Sequence, residues 1–183
     1  MGFVLINDAL PSSTLDVLLP GTDGVEPKAG LIFDATGNLY GITASGGAQL
    51  SYGTVFRLRP SKNGSWKEKV LHSFGKGNDG SIPLAGLIFG SDGHLYGTTS
   101  QGGAYSSACI YGCGTVFQLK PGKNGEWKEE VLHRFGDGKD GKFPLASLIL
   151  DAAGKLFGTT QVGGAYGSRC SSTSRGTVFE VTP

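Results

Sequence analysis

Short apolar stretches alternate with glycine-rich turns along the whole chain, and none of them keeps the 3.6-residue period of an amphipathic helix. In the segment 31–74 the stretches are LIFD, LYGIT, TVFRLR and WKEKVLHSF, all rich in β-branched or aromatic residues. Even spacing in the last stretch predicts that Trp66, Val70 and Phe74 share one side of a strand. Asn63-Gly64 precedes it and favours a tight hairpin, because both residues tolerate positive φ. The pattern predicts an all-β protein with four antiparallel strands, A to D.

This four-strand pattern occurs three times. GTVFRLRP at 53–60 returns as GTVFQLKP at 114–121 and as GTVFEVTP at 176–183. The block AGLIFDATGNLYGITASGGA at 29–48 returns, with substitutions, at 85–104 and 146–165. A regular period of about 60 residues indicates a repeat architecture, in which neighbouring units bury one another's faces.

Four antiparallel strands repeated in tandem are typical of β-propeller blades. Parallel β-solenoids have shorter coils without tight hairpins, and β-sandwiches do not repeat their sequence. We therefore predict one repeat domain, 1–183, with three blades. Residues 14–60 contain an N-terminal outer strand and strands A–C of blade 1. Residues 66–121 contain the outer strand of blade 1 and strands A–C of blade 2. Residues 127–183 contain the outer strand of blade 2 and strands A–C of blade 3.

The segment 14–30 matches 70–86, so the sequence reads as starting with a strand D and ending with a strand C. Both segments contain Asp-Gly-x-x-Pro-x-Ala, as does 140–146. Propellers have about four to eight blades, so three are too few for a ring. We predict a homodimer that forms a six-bladed ring by exchanging the N-terminal strand. An open filament built by the same exchange, or a piece of a longer array, are the alternatives.

The repeated blocks resemble the tandem-repeat proteins called GloVer. The matching blocks are GNLYGIT–SGG–GTVF, GHLYGTT–QGG–GTVF and GKLFGTT–VGG–GTVF, followed by W–VL–F and DG–P–A. GloVer proteins are bacterial surface or secreted chains with choice-of-anchor C-termini. The resemblance implies a propeller-like protein that is extracellular or on the cell surface. It implies no catalytic residues.

Composition narrows the functional classes. Sixteen basic and fifteen acidic residues give a net charge of +1, which favours no nucleic-acid partner. No apolar run approaches the about 18–20 residues of a membrane-spanning helix. We find no nucleophile elbow, phosphate-binding loop or metal-ligand cluster, so we expect no cofactor, no metal and no enzymatic activity. The sequence predicts a self-assembling structural or interaction module, with an enzyme in the central funnel of a complete ring as one alternative.

A carbohydrate-binding lectin is the other alternative. Loops between strands B and C vary, whereas the A–B and C–D turns are tight and alike, so a ligand is expected on the face of the B–C and D–A loops. Loop tyrosines can stack on a sugar ring, and polar neighbours can bond its hydroxyl groups. The candidate ligand-binding residues are Tyr105, Tyr111, Tyr166, Gln101, Gln161, Arg169 and Arg175.

Other chemically active residues are interpreted as structural. Asp23, Asp79 and Asp140 recur before glycine in every unit, where an aspartate caps backbone N–H groups, although paired carboxylates can also hydrolyse glycosides. His72, His133, Trp66 and Trp127 occupy equivalent strand D positions and are expected to pack. Cys109 and Cys113 are candidates for a loop disulfide, which leaves Cys170 over.

Overall fold

The chain forms three antiparallel β-sheets in a computed structural model, which describes residues 24–48, 51–63, 65–76, 78–103, 109–136, 139–164 and 175–183. The strands lie side by side in chain order within each sheet. The first sheet contains β1 (Ile32–Phe33), β2 (Leu39–Thr43), β3 (Thr54–Pro60) and β4 (Trp66–Ser73). The second contains β5 (Ile88–Phe89), β6 (Leu95–Thr99), β7 (Thr115–Pro121) and β8 (Trp127–Arg134). The third contains β9 (Ile149–Leu150), β10 (Leu156–Thr160) and β11 (Thr177–Val181).

The all-β prediction is confirmed, since the described ranges hold only one helical element, a single 3-10 turn at Lys123–Gly125. That turn joins β7 to β8, and Asn124 and Gly125 both have positive φ, 63° and 76°. Asn-Gly tolerates this conformation, as the repeated KNG sequence predicts. The first strand of each sheet is shorter than expected, two residues where LIFD and its repeats suggest four.

The predicted alternation along strand D is wrong because of a β-bulge. Val55 pairs with His72, and the next residue of β3 pairs with Val70, so Leu71 is an extra residue in β4. Beyond the bulge the side chains change sides, so that Leu71 and Phe74 are buried, whereas Trp66 is exposed. The second sheet has its bulge at the equivalent place, between Val116 and Phe117.

An aspartate organises each A–B turn. Asp34 Oδ1 accepts hydrogen bonds from the backbone N–H groups of Thr36 (2.8 Å) and Asn38 (2.9 Å). Asp92 and Asp151 make the same kind of bond in the other two sheets. Partial burial raises the pKa of Asp34, but the bonds from Asn38 and Thr36 outweigh it and hold that pKa well below its usual range.

The segment that enters each sheet passes directly over a pair of threonines. Thr99 and Thr115 join β6 to β7 through their hydroxyl groups, 2.8 Å apart, and Gly80 lies against this pair. Ser81 then bridges Gln101 in antiparallel fashion. Equivalent threonine pairs stand in the first and third sheets, at 2.8 Å and 2.7 Å. The Asp-Gly sequence of the repeat is thereby placed at the entrance of a sheet.

Two hydrophobic cores lie between successive sheets. The first joins buried residues of sheets one and two, with Phe74 and Phe117 in edge contact at 5.1 Å between ring centroids. The second joins sheets two and three, with Phe135 and Phe179 at 5.0 Å. Each sheet thus buries one face against the next, which is how a repeat protein gains its stability.

Candidate functional site

The four loop candidates within the described ranges belong to two loops, Gln101 and Tyr111 to the one between β6 and β7, and Gln161 and Arg175 to the one between β10 and β11. Tyr111 is exposed, and its carbonyl accepts a 2.7 Å hydrogen bond from the N–H of Gly102, which brings it beside Gln101. Gln161 is exposed in the third sheet's loop, and Arg175 is exposed just before β11. The remaining predicted site residues, Tyr105, Tyr166, Arg169 and Asp23, lie outside the described residues, as does Cys170.

A disulfide joins Cys109 to Cys113, with the two Cα atoms 5.3 Å apart. Both cysteines are buried against the core between the second and third sheets. The short loop that the bond closes presents Ile110 and Tyr111 to solvent, with 72% of Ile110 exposed. The disulfide therefore fixes the base of an apolar loop tip.

The junction aspartates cap the turns that follow strand D. Asp79 Oδ1 accepts a 3.1 Å hydrogen bond from the N–H of Gly75, and Asp140 Oδ1 accepts a 3.2 Å bond from Gly136. The second oxygen of Asp140 lies 2.9 Å from His133 Nε2, at hydrogen-bonding distance. Aspartate thus holds the chain where it leaves one sheet for the next.

An open cleft of about 530 Å³ lies where the first sheet meets the second. We call it the junction cleft, and its side chains are those of His72, Lys76, Asp79, Glu126, Trp127, Lys128 and Glu129. It joins the end of β4 and the following turn to the start of β8. Sequence reasoning missed Glu129, because nothing in WKEEVLHRF distinguishes it from the equivalent Glu68 of the first unit.

Glu129 has an unusual environment in this cleft. The pKa of Glu129 is raised to about 7, chiefly by burial. The negative charge of Asp79 also raises this pKa, by more than the positive charge of Arg134 lowers it. Its Oε1 atom is buried without a hydrogen-bond partner. The folded protein therefore favours the protonated form of this carboxyl group.

We expect Glu129→Gln to stabilise the protein at pH 8 by about 1 kcal/mol, a figure reduced for the partial exposure of the side chain. Because the pKa of Glu129 is higher in the folded than in the unfolded state, the protonated carboxyl group makes its full contribution to stability below about pH 4.5. That contribution is lost as the pH rises toward about 7. The gain from Gln should therefore vanish at pH 4. Urea unfolding at both pH values measures it.

Glu130→Gln is the matched control for this prediction. Glu130 lies next along β8, is exposed, and has its pKa lowered by a hydrogen bond and ion pair with Lys120, 2.6 Å away. Its substitution should bring no gain at pH 8. Equal effects of the two variants, or a gain for Glu129→Gln at pH 4, would contradict the assigned role of burial.

The third sheet is open on the side that the other sheets cover. In the described residues β11 has β10 on one side and no strand on the other, whereas β4 and β8 cover the equivalent strands. Val178 of β11 is 79% exposed, while its equivalents Val55 and Val116 are fully buried, both at 0%. Phe157 and Thr159 of β10 are also more accessible than their counterparts. We call Phe157, Thr159 and Val178 the open third-sheet face.

The first sheet is open on the opposite side. Leu31 is 43% exposed, whereas its equivalent Leu87 is 3% exposed. Phe33 is 65% exposed, although the equivalent Phe89 packs on Tyr40 with 5.1 Å between ring centroids. Trp66 is exposed as well. Leu31, Phe33 and Trp66 form what we call the open first-sheet face. Of its counterparts in the second sheet, Leu87 is buried, and Phe89 and Trp127 are partly buried because they pack against the core shared with the first sheet.

Within the described ranges, no group of three or more His, Cys, Asp or Glu residues is placed to hold a metal ion. No helix found there has the length and apolar character needed to cross a membrane.

Comparisons with known proteins identify a repeat family. No curated protein matches the chain. The family model described as the Gloeobacter/Verrucomicrobia repeat matches residues 8–183, which is nearly the whole sequence. This confirms the predicted GloVer-type repeat protein and agrees with the three similar sheets. The chain belongs to the Gloeobacter/Verrucomicrobia repeat family.

Proposed function

We propose that the chain is a non-catalytic, self-assembling structural or interaction module, in which each sheet acts as a propeller-type blade. The observation that carries the proposal is the exposure of Val178, 79% against 0% for both equivalent valines. The valine at this position is buried in the first two units and exposed in the third, where the described residues place neither a fourth strand nor a further sheet beside it. The partner is a second copy of this chain.

In this proposal, a fourth strand of the third sheet comes from residues 14–19 of the other copy, a segment that lies outside the described residues. Segment 14–30 matches segment 70–86, whose first residues belong to β4, an outer strand. The edge of β11 that no described strand pairs with offers backbone N–H and C=O groups to a strand of this kind. Strand exchange of this type adds main-chain hydrogen bonds without a new binding pocket.

The two open faces supply the rest of the contact. At the junction between the first two sheets, the ring of Tyr40 in the first sheet contacts the rings of Phe89 and Trp127 in the second. On the open first-sheet face, Phe33 and Trp66 occupy the positions equivalent to Phe89 and Trp127. On the open third-sheet face, Phe157 occupies the position equivalent to Tyr40. Two copies that pack in this way satisfy both faces and give a six-bladed ring. A filament uses the same contact without closing.

We also propose an extracytoplasmic location. The GloVer resemblance suggests it, and the Cys109–Cys113 disulfide supports it, because disulfides form and persist in oxidising compartments.

Molecular mass in solution tests the assembly. We expect the intact chain to have twice its single-chain mass by light scattering, and Phe33→Lys to reduce this, since a charge on the open first-sheet face opposes burial. Ile110→Lys is the matched control. Ile110 is equally exposed, at 72%, but lies on the disulfide loop, so its variant should keep the dimer mass. A folded monomer for the intact chain would refute the proposal.

A further inference from the structure

The same backbone hydrogen bond joins successive sheets at both described junctions. The N–H of Ile82, on the segment that enters the second sheet, donates to the carbonyl of Tyr52 at 2.9 Å. At the next junction, the N–H of Phe143 donates to the carbonyl of Cys113 at 2.8 Å. In each case the donor directly precedes the proline of Asp-Gly-x-x-Pro, and the acceptor directly precedes GTVF. The repeat therefore identifies both halves of this bond in every unit.

Glu26 and Arg175 occupy the two positions of this bond that the described junctions do not use. Glu26 precedes the proline of the first unit, and Arg175 precedes the third GTVF. Glu26 has φ of 62°, the left-handed conformation also found at Ile82 (54°) and Phe143 (57°). Within the described residues, neither the N–H of Glu26 nor the carbonyl of Arg175 has a backbone partner. The first unit thus presents a preformed donor, and the third unit presents the equivalent acceptor.

A close contact between glycine and proline accompanies the bond. A Cβ added to Gly53 would lie 2.7 Å from Cδ of Pro83, and the second junction repeats this contact at the same distance. Only glycine allows the two segments to approach so closely. Gly176 keeps this residue type beside Arg175, and Pro27 follows Glu26. Both parts of a third junction are therefore present in the sequence, on the first and third units.

Charge distinguishes this third pair from the other two. The donor and acceptor residues of the described junctions are uncharged, whereas Glu26 and Arg175 have opposite charges and are both exposed. Glu26 lies 3.5 Å from Lys28 in an exposed ion pair, which contributes little by itself. A backbone bond between Glu26 and Arg175 would bring their long side chains within reach of each other. Arginine and carboxylate groups form strong, charge-assisted hydrogen bonds.

We propose that Glu26 of one copy binds Arg175 of a second copy, through the repeated backbone hydrogen bond and an ion pair between the side chains. This inference rests on the proposed self-assembly and names the residues that select the partner. Opposite charges across an interface contribute specificity more than affinity. Two copies that meet by their first-sheet faces, or by their third-sheet faces, bring like charges together and are repelled. Only the first unit of one copy and the third unit of the other match.

Charge reversal in the full chain tests the pair. Glu26→Arg and Arg175→Glu each place like charges at every contact between identical copies. Each should raise the dissociation constant of the assembly by roughly tenfold or more, measured by sedimentation over a concentration series. An equimolar mixture of the two variants restores opposite charges at both contacts of a two-chain ring. The mixture should therefore assemble as the intact chain does, although neither variant does so alone.

Glu126→Arg and Lys123→Glu are the matched controls, because both residues are exposed on the turn between β7 and β8, outside both open faces. They should leave the dissociation constant unchanged, alone and mixed. A chain that carries both Glu26→Arg and Arg175→Glu should assemble as well, which keeps the test valid if one single variant folds poorly.

An assembly that neither reversal weakens overturns the ion pair and leaves the proposed function standing. The same holds if neither the mixture nor the double variant restores the assembly. A monomeric intact chain overturns the proposed function and this inference together.

Discussion

Deletion of residues 1–20 is expected to abolish the dimer and leave a species that no longer shows a defined two-chain mass. The deleted segment contains residues 14–19, which we propose as the strand that completes the third sheet. Without it, the edge of β11 and the exposed Val178 have no covering strand from another copy. An uncovered edge of this kind recruits other strands without specificity, so the truncated chain should also aggregate more readily. Light scattering at micromolar concentration measures both effects.

A synthetic peptide spanning residues 10–24 provides the control for this deletion. Added in excess to the truncated chain, it should suppress aggregation by occupying the edge of β11, whereas a peptide of the same composition in scrambled order should not. The peptide restores the strand but cannot link two chains, so the two-chain mass should not return. A well-folded monomer at micromolar concentration contradicts strand exchange if it is formed by the intact chain, or by the truncated chain in the absence of the peptide.

Local sequence predicted the strands well because their signals are local. Strand LYGIT matches β2 at Leu39–Thr43, and the Asn-Gly turn has the expected positive φ at Asn124. The two-residue strand Ile32–Phe33 was overestimated, since its length depends on pairing with β2 rather than on its own composition. The bulge at Leu71 was also missed, because an extra residue in one strand becomes visible only against the partner strand.

The candidate site could not be predicted in the same way, because it depends on position in the array. Trp66 and Trp127 begin identical tripeptides, yet Trp66 is exposed and Trp127 packs on Tyr40 of the preceding sheet. Glu129 likewise faces Asp79 only because the turn that follows β4 lies against the start of β8. Aligning the repeats could have supplied one signal. Positions such as Val55 and Val116 are buried in the first two units, and the alignment places the exposed Val178 at the same position of the third.

Substitution of Gly80 by alanine is expected to destabilise the protein by about 3 kcal/mol or more. Gly80 has φ of 100°, a conformation in which a side chain costs about 1–2 kcal/mol. An added Cβ would also lie 2.8 Å from Thr115 Oγ1 and against Thr99, whose hydroxyl groups bond each other. Overpacking of this kind costs typically about 1–3 kcal/mol. The midpoint of urea unfolding measures the loss.

Gly93→Ala separates the two contributions. Gly93 also has positive φ, 78°, but no heavy atom lies within 4 Å of the place where its Cβ would stand. Its variant should lose only the conformational part, about 1–2 kcal/mol. If the two variants lose equal stability, the close approach of Gly80 to the threonine pair contributes nothing. If Gly80→Ala loses more, as we expect, the repeated Asp-Gly sequence is required because the chain must pass directly over Thr99 and Thr115 to reach the next sheet. The same reasoning then extends to Gly24 and Gly141, which lie against the other two threonine pairs.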